Sequence, residues 1–289
     1  MEVYWDAFAR GFSGTVGYTW KSMLFEVPWY KNYFWGLVGI SLAVWLLEIL
    51  FPWRKNQGVF RKDFWLDFGY MFFNFFVFAI VIQGVYNMLE VSFASIGITA
   101  QSLSLIPLSD WPVWSQLLVF FVLLDFVQWL THIALHKFPI LWRFHQVHHS
   151  VKEMGFAAHL RYHWMENILY KPLKTIGVML LGGFEPEQAY IVHFMAIAIG
   201  HLNHANIKLS YGPLKYFLNN PVMHLYHHSY TLPSGKFGVN FGISLSLWDY
   251  LFNTHHVPED SGTIPLGYPG DEKMPASFWK QLLHGFTKK

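Results

Sequence analysis

The chain lacks cysteine, and this absence removes several kinds of site at once. Disulfides, zinc–thiolate sites, iron–sulfur clusters and cysteine nucleophiles are all excluded from its 289 residues. Charged side chains are also scarce, at 13% of the residues against 53% that are hydrophobic. Such a balance argues against an ordinary soluble globule. The net charge of +2, with no block of Lys and Arg, gives no reason to expect a nucleic acid partner.

Two sequence motifs are missing as well. The first 30 residues have no long apolar run followed by a small-residue cleavage site, so we expect no cleavable signal peptide. No Gly-x-Gly-x-x-Gly stretch follows a predicted strand, so no nicotinamide or flavin module is expected. Redox chemistry in this chain would therefore need electrons from a separate protein.

Long apolar runs, in contrast, are abundant. A helix that crosses a bilayer needs about 20 mostly apolar residues. Runs close to that length or longer occupy residues 34–51, 64–89, 111–136 and 167–202. Gly182, Gly183 and Pro186 divide the last run into two halves, which predicts a helical hairpin. The sequence predicts an all-α integral membrane bundle of about four to five spanning or re-entrant helices; the alternative is the buried helical core of a soluble protein.

The basic residues predict the orientation of these helices. The loop after the first run contains Arg54, Lys55, Arg61 and Lys62, whereas residues 90–110 contain no Lys or Arg. Short loops rich in Lys and Arg face the cytoplasm. The third run should therefore end on the cytoplasmic side, which places the histidine-rich region that follows in a cytoplasmic helical cap.

The histidines have the most informative spacing in the sequence. The stretch LWRFHQVHHS (141–150) contains H-x-x-H-H, PVMHLYHHS (221–229) repeats it, and HIALH (132–136) adds a pair four residues apart. Residues three and four apart share one face of a helix. The eight histidines concerned are His132, His136, His145, His148, His149, His224, His227 and His228. Imidazole is the commonest metal ligand in proteins, and eight nitrogens exceed the needs of one ion, so the pattern predicts a di-metal site.

The isolated histidines have a different interpretation. A lone histidine on an apolar face is more often hydrogen-bonded than metal-bound. We therefore assign a structural role to His159 and His193, and a surface position to His255, His256 and His284. Packing gains nothing from a repeated H-x-x-H-H, and neighbouring imidazoles would repel one another if protonated, so this interpretation does not extend to the clustered eight.

The ordered motifs over residues 125–254 resemble the fatty acid hydroxylase/sterol desaturase superfamily of integral-membrane, histidine-rich di-iron oxygenases. The resemblance rests on HIALH, LWRFHQVHHS, RYHWMEN (161–167), HANI (204–207), PVMHLYHHS and NFGISLSLWDYLFNT (240–254). It implies that the eight clustered histidines are metal ligands and that His204 completes the set. His201 and His163 are weaker matches; Trp164 follows the latter where the family usually has proline.

Three acidic residues near these motifs are candidates for supporting the metal ligands. A ligating histidine usually donates its second N–H to a carboxylate or a carbonyl. The candidates are Asp125, Asp249 and Glu166. Asp125 lies two helical turns before His132 on the same face, and a carboxylate inside a spanning segment suggests a function. A salt bridge or a helix-end role is the alternative for each of the three.

The resemblance also implies a reaction. Two iron ions would activate dioxygen and oxidise a C–H bond of a lipid, by hydroxylation or desaturation of a fatty acyl chain, a sterol or a related lipid. Zinc can replace iron in a recombinant sample, because it binds such ligands more tightly. Two alternatives stay open. One is a zinc metallohydrolase acting on a lipid, with Glu166 as its acid or base; the other is a histidine-rich metal transporter, with ligands spread along a path through the bilayer.

The predicted organisation has three regions and a separate redox partner. The regions are N-terminal membrane helices (1–110), a fatty acid hydroxylase/sterol desaturase-like catalytic region (111–256) and a C-terminal tail (257–289). The electron donor should be a cytochrome, a ferredoxin or a reductase. Basic candidates for docking an acidic donor are Lys152, Arg161, Lys171 and Lys174. The alternative is that they belong to the usual cytoplasmic surplus of basic residues. The sequence does not predict an oligomeric state.

Overall fold

The computed structural model describes residues 1–106, 108–183, 185–258 and 262–286. Within these ranges the chain forms helices and isolated β-bridges but no sheet. The α-helices are α1 (Glu2–Met23), α2 (Tyr33–Leu50), α3 (Phe64–Phe72), α4 (Phe78–Ala94), α5 (Ala100–Leu103), α6 (Val113–Lys137), α7 (Pro139–His149), α8 (Trp164–Leu180), α9 (Pro186–His204), α10 (Pro221–His227), α11 (Leu247–Leu251) and α12 (Phe278–Leu282). A π-helical segment, Phe73–Val77, joins α3 to α4. The all-α prediction is confirmed.

Local sequence signals fix where several of these helices begin. Asn32 caps α2, and its side-chain oxygen accepts a hydrogen bond from the Trp35 N–H at 3.1 Å. Asn220 caps α10 in the same way, accepting from the Met223 N–H at 3.0 Å. Pro139 occupies the first turn of α7 just after α6 ends, because proline starts a helix well but cannot continue one. The resulting corner brings the histidines of α7 against those of α6.

Three helices are long and apolar enough to cross a membrane. They are α2, the continuous helix formed by α3 and α4 (Phe64–Ala94), and α6. No more than 33% of each apolar window is buried inside the protein, so most of these side chains face outward, as contact with lipid requires. Leu42 and Leu46 of α2, for example, are each 54% exposed. The prediction of an integral membrane helical bundle is therefore confirmed, with three helices of spanning length and composition.

The predicted hairpin is present as α8 and α9, which lie beside α6. The loop before α6 lies against the end of α8, where the Leu105 N–H donates to the Leu180 carbonyl at 2.9 Å. At the same end, Gln188 Nε2 in the first turn of α9 donates to Gln116 Oε1 of α6 at 2.6 Å. Midway along, Gly177 of α8 packs against Leu123 of α6. Crossing of the membrane by α8 and α9 remains a prediction, which this alignment with α6 supports.

A buried ion network connects the first membrane helices to the histidine region. Asp67 of α3 is fully buried and accepts from Arg61 Nη2 at 2.5 Å and from Arg161 Nη1 at 3.1 Å. Arg161 also contacts Asp63 at 3.2 Å and donates to Ser150 Oγ at 2.8 Å. Buried charged groups need such partners, because transferring a charged side chain from water into the protein interior is unfavourable unless an opposite charge or hydrogen bonds compensate it. The expectation that Arg161 docks an electron donor is therefore wrong, since its side chain is enclosed.

Replacing Asp67 with alanine should destabilise the protein strongly. The change leaves two buried guanidinium groups without their shared counter-charge, which lowers the free energy of unfolding by about 3–5 kcal/mol. The matched control is Asp63→Ala, because that side chain is 30% exposed and its loss should cost less than about 1 kcal/mol. Unfolding followed in detergent gives both values, and equal losses would contradict the central role of Asp67.

Candidate metal centre

Nine histidines gather in two adjoining groups at one end of the membrane helices. The first group is His132, His136, His145, His149 and His227, and the second is His148, His204, His224 and His228. Within each group, one ring nitrogen of every member lies within 4.8 Å of those of the others. Eight of the nine residues are buried and His136 is half-buried. All eight clustered histidines of the sequence motifs, together with His204, are thus brought together.

Three of the five histidines in the first group have a buried ring nitrogen without a protein partner. The Nε2 atoms of His132 and His145 lie 3.2 Å apart. The Nε2 atoms of His136, His149 and His227 are buried without any hydrogen bond. Buried polar atoms are rarely left unpaired. A metal cation would satisfy these nitrogens, so the residues fit a metal site.

The second group forms a chain of Nε2 contacts. His224 lies 2.9 Å from His204, His204 lies 3.4 Å from His148, and His228 lies 3.3 Å from His224. A neutral imidazole has one donor and one acceptor nitrogen. Nε2 atoms that all point at one another therefore cannot all be satisfied by hydrogen bonds, whereas one central cation can bind all their lone pairs.

Outer hydrogen bonds orient the rings. The outer partners of Nδ1 include Phe241 O for His132 (2.8 Å), Val239 O for His227 (2.8 Å), Arg161 O for His148 (3.0 Å), Gly200 O for His204 (2.7 Å) and Glu166 Oε2 for His145 (3.0 Å). His136 also hydrogen-bonds the backbone of Phe237. A proton on Nδ1 that is donated outward leaves the Nε2 lone pair facing inward. This is the arrangement of histidines that bind metals.

Burial keeps these imidazoles neutral. Loss of water lowers the pKa of His148 to about 3. Burial, and then the neighbouring imidazoles, hold the pKa values of His149, His227 and His228 well below the ordinary value for histidine. Only a deprotonated imidazole can bind a metal, so the site is ready to bind a cation without first losing protons.

Glu166 has the supporting position that the sequence predicted. Its carboxylate contacts His145 Nδ1 at 3.0 Å and accepts from the His163 N–H at 3.2 Å. Burial raises the pKa of Glu166 to about 8. A cation bound by His145 would favour the carboxylate form again, because nearby positive charge lowers the pKa of an acid.

Asp125 and Asp249 have other partners than those predicted, because both bind backbone. Asp125 accepts from Ser244 N–H (3.0 Å), Leu245 N–H (3.2 Å) and Trp248 Nε1 (2.9 Å). Asp249 accepts from donors that include Phe241 N–H (2.9 Å) and Gly242 N–H (2.7 Å). The prediction that they accept from ligating imidazoles is wrong. Seven residues along a helix separate Asp125 from His132 by about 10 Å. Both acids instead hold the loop 239–246, whose carbonyls orient His132 and His227.

His201 and His163 lie outside both groups. His201 Nε2 contacts Ser41 Oγ at 3.1 Å and its Nδ1 contacts His159 Nδ1 at 2.8 Å. His163 Nε2 donates to Leu282 O at 2.9 Å, and its Nδ1 accepts from the N–H of Met165 at 3.1 Å. The geometry therefore gives neither histidine a free nitrogen for a metal. The contact with Leu282 also fastens the C-terminal segment to the start of α8.

Residues 117–254 match the sequence model of the fatty acid hydroxylase family. This segment contains every histidine of both groups. The chain contains a fatty acid hydroxylase domain. The resemblance inferred from the histidine motifs is thus confirmed.

Relatives that match the chain have names that describe enzymes for an ornithine lipid, an alkylglycerol or a very-long-chain aldehyde. The chain is 32% identical to ornithine lipid hydroxylase OlsE of Rhizobium tropici over 62% of this chain and 53% of the relative. It is 26% identical to alkylglycerol monooxygenase of Danio rerio over 84% and 52%. It is 24% identical to very-long-chain aldehyde decarbonylase GL1-5 of Oryza sativa subsp. indica over 47% and 23%. The chain spans about half the length of these relatives or less, and no solved structure matches it significantly.

A small cavity reaches the first histidine group of the fatty acid hydroxylase domain. It has a volume of about 200 Å³ and is lined by His136, His149 and His227 together with Trp142, Phe237 and Tyr268. The Trp142 ring centroid lies 5.0 Å from that of His136 and 5.3 Å from that of His149. The roles of Trp142 and of the loop carbonyls were not predicted from the sequence. Trp142 belongs to the motif LWRFHQVHHS, and Phe241 belongs to NFGISLSLWDYLFNT. A larger cavity of about 610 Å³ lies between the first turns of α2 and α9, away from the histidines.

Single histidine substitutions should separate the two groups. His149→Ala removes a ligand of the first group and His148→Ala one of the second, so each should reduce bound metal from about two ions to about one per chain. The double variant should hold none. Metal content is measured by plasma mass spectrometry on purified protein. The control is His255→Ala, because that exposed residue belongs to neither group; full metal occupancy in the double variant would defeat the two-ion site.

Truncating Glu166 should weaken the first group. Glu166→Ala leaves His145 without its outer partner, and the loss of such a partner typically lowers metal affinity by about 10–100-fold. Glu166→Gln keeps an acceptor oxygen and should lose less. Competition with a chelator measures the affinity. Equal affinity in the alanine variant and the unchanged protein would show that the Glu166 contact does not orient the ligand.

Proposed function

We propose that this protein is a membrane-bound, dioxygen-dependent enzyme that oxidises a C–H bond of a lipid at a histidine-ligated di-iron centre. The observation that carries the proposal is the pair of adjoining histidine groups at one end of the membrane helices, inside a fatty acid hydroxylase domain. In this proposal residues 111–256 form the catalytic region, 1–110 supply membrane helices, and 257–289 form a C-terminal segment.

The donor set favours iron as the working metal. Imidazole suits iron, copper, nickel and zinc, and zinc has no redox chemistry. Two iron ions bound there would supply the oxidation of a C–H bond by dioxygen. The first ion would be held by the first group and the second by His148, His204, His224 and His228. A recombinant sample can carry zinc at the same ligands.

The protein's own contribution is to hold, orient and shield. The carbonyls of Phe241, Val239 and Arg161 fix three rings through Nδ1, so the ligands need no rearrangement when a metal binds. The buried histidine groups exclude bulk water, which protects a reactive oxidant from side reactions. The chemistry of oxidation itself belongs to the metal.

Several features support a lipid substrate and a cytoplasmic site. The histidines lie where α6 ends and α8 begins, so a lipid can reach them from the bilayer without crossing water. Relatives named ornithine lipid hydroxylase and alkylglycerol monooxygenase modify lipids, which favours hydroxylation over desaturation.

The basic loop of residues 54–62 packs against the histidine end of the bundle, because Arg61 and Arg161 both contact the Asp67 carboxylate. The positive-inside rule then directs the site to the cytoplasm.

Neither alternative function gains support from the geometry. A metal transporter needs ligands along a path through the bilayer, whereas all nine clustered histidines lie at one end of the helices. A metallohydrolase needs an acidic residue free to act on water. The Glu166 carboxylate is instead engaged by His145 and by the backbone of His163.

A separate electron donor is part of the proposal. Of the four basic residues considered for docking it, Arg161 is buried in the ion network and Lys171 and Lys174 lie in the middle of α8. Lys152 alone lies at the surface near the small cavity, and it is paired with Asp271. These positions do not support docking by a four-residue basic patch, and the proposed donor stays a cytochrome, a ferredoxin or a reductase.

Mass spectrometry of total lipids should reveal the reaction. Cells that make the intact protein together with a reductase system should accumulate a lipid that has gained one oxygen. Cells that make the His148→Ala/His149→Ala variant should not, because the metal sites are lost. A lipid that loses two hydrogens would instead identify a desaturase. An unchanged lipid profile with fully iron-loaded protein and supplied reductant would overturn the proposal.

A further inference from the structure

Two lysines lie at an unexpected place in α8. Lys171 and Lys174 are near the middle of this helix, which runs beside α6 from the histidine end to the opposite end. They follow Glu166 by five and eight residues, or about 7–12 Å along the helix. If α8 crosses the membrane as predicted, a charged residue at this depth is costly and by default indicates a function.

Neither lysine has an ion-pair partner among the described residues. No carboxylate oxygen in these ranges lies within 4.0 Å of either ammonium group. The two nearest acids are engaged elsewhere, since Glu166 contacts His145 and Asp125 accepts from the loop and from Trp248. Both lysine side chains are half-buried, so each keeps part of its surface accessible to a ligand.

The ammonium group of Lys174 points toward the histidines. Its Nζ lies 5.6 Å from the centroid of the Tyr170 ring, one turn nearer the histidine end. Tyr170 in turn hydrogen-bonds Gln128 of α6, and Gln128 precedes His132 by four residues, or about 6 Å. On the other side, both lysines lie close enough to His193 of α9 for their charges to act on its ring. Polar side chains of α6, α8 and α9 therefore lie around the two lysines, and Gln128 lies on the α6 helix that leads to the first histidine group.

We propose that Lys171 and Lys174 bind the anionic oxygen group, a carboxylate or a phosphate, of the lipid substrate where α8 lies beside α6 and α9. The inference rests on the proposed function, because it assigns the substrate class of the same site. A lipid anion would supply the counter-charge that the lysines lack, and a charged hydrogen bond is stronger than a neutral one.

The position of the lysines also limits where the lipid is oxidised. Two helical turns separate Lys174 from the level of Glu166, so the anion would lie roughly 10 Å from the first histidine group. An extended chain covers this distance in about eight bonds, so the oxidised carbon should lie within about eight bonds of the anionic group and not near the far end of a long acyl chain.

Stability separates this role from a structural one. If Lys174 served only as a distant counter-charge for Asp125, Lys174→Gln would destabilise the protein. If it serves a ligand, the same change removes an unpaired charge from the bundle and leaves the stability of the lipid-free protein unchanged or raised. Lys174→Arg keeps the charge and should keep the binding.

The deciding experiment is a lipid-binding titration followed by native mass spectrometry in neutral detergent. The probes are palmitic acid for a carboxylate, dipalmitoyl phosphatidic acid for a phosphate, and 1-O-hexadecylglycerol as the uncharged lipid. Lys171→Gln and Lys174→Gln should each weaken binding of one anionic probe by about tenfold and leave the uncharged lipid unaffected. The matched control is Lys137→Gln, an exposed lysine at the end of α6. Which anionic probe loses affinity identifies the group.

The outcomes are distinct from those that test oxidation, because binding needs neither dioxygen nor reductant. Equal affinity of the lysine variants and the unchanged protein for both anions would overturn the inference even if the enzyme oxidises lipid. Weaker anion binding with unaltered lipid turnover would also overturn it, because the lysines would then hold a bilayer lipid and not the substrate. Anion binding that depends on the lysines, with turnover reduced in parallel, would establish it.

Discussion

The structure depends on the packing of nine imidazoles into a space that is nearly free of water. Charged imidazoles at these distances would repel one another, and uncharged ones that face each other cannot all form hydrogen bonds. Neutral rings with their Nε2 atoms turned inward avoid the repulsion, and a cation bound between them would satisfy the facing nitrogens. Much of the surrounding fold can be understood as the set of contacts that holds the rings in that orientation.

These contacts come from several distant parts of the chain, and most are made by backbone. The loop 239–246 supplies carbonyls to two rings, and Asp125 and Asp249 hold that loop from behind. Arg161 uses its carbonyl for His148 and its side chain for Asp67, so one residue joins the metal centre to the first membrane helices. A disturbance far from the histidines can therefore reach them through a single hydrogen bond.

The scarcity of charge gives each buried charged group a meaning. The Asp67 carboxylate is the shared partner of two arginines, and Asp125, in the middle of α6, accepts from three donors. Lys171 and Lys174 are different, because within the described part of the chain neither has an acidic partner within 4.0 Å. In a bundle surrounded by lipid, unpaired charge is best explained by a ligand that arrives with the opposite charge.

The sequence by itself determined the helices, the apolar runs and eight of the nine clustered histidines, because helical periodicity and membrane length are local properties that spacing records. The ninth, His204, was implied by the family resemblance of HANI. Only the tertiary structure decided which histidine belongs to which group. His148 and His149 are neighbours in the chain but join different groups, since successive residues point about 100° apart on a helix. Tertiary structure also excluded His163 and His201 and revealed the carbonyls of Phe241 and Val239 as the partners that orient rings. A backbone carbonyl is present at every residue, so no sequence pattern can mark the few that a fold brings against an imidazole.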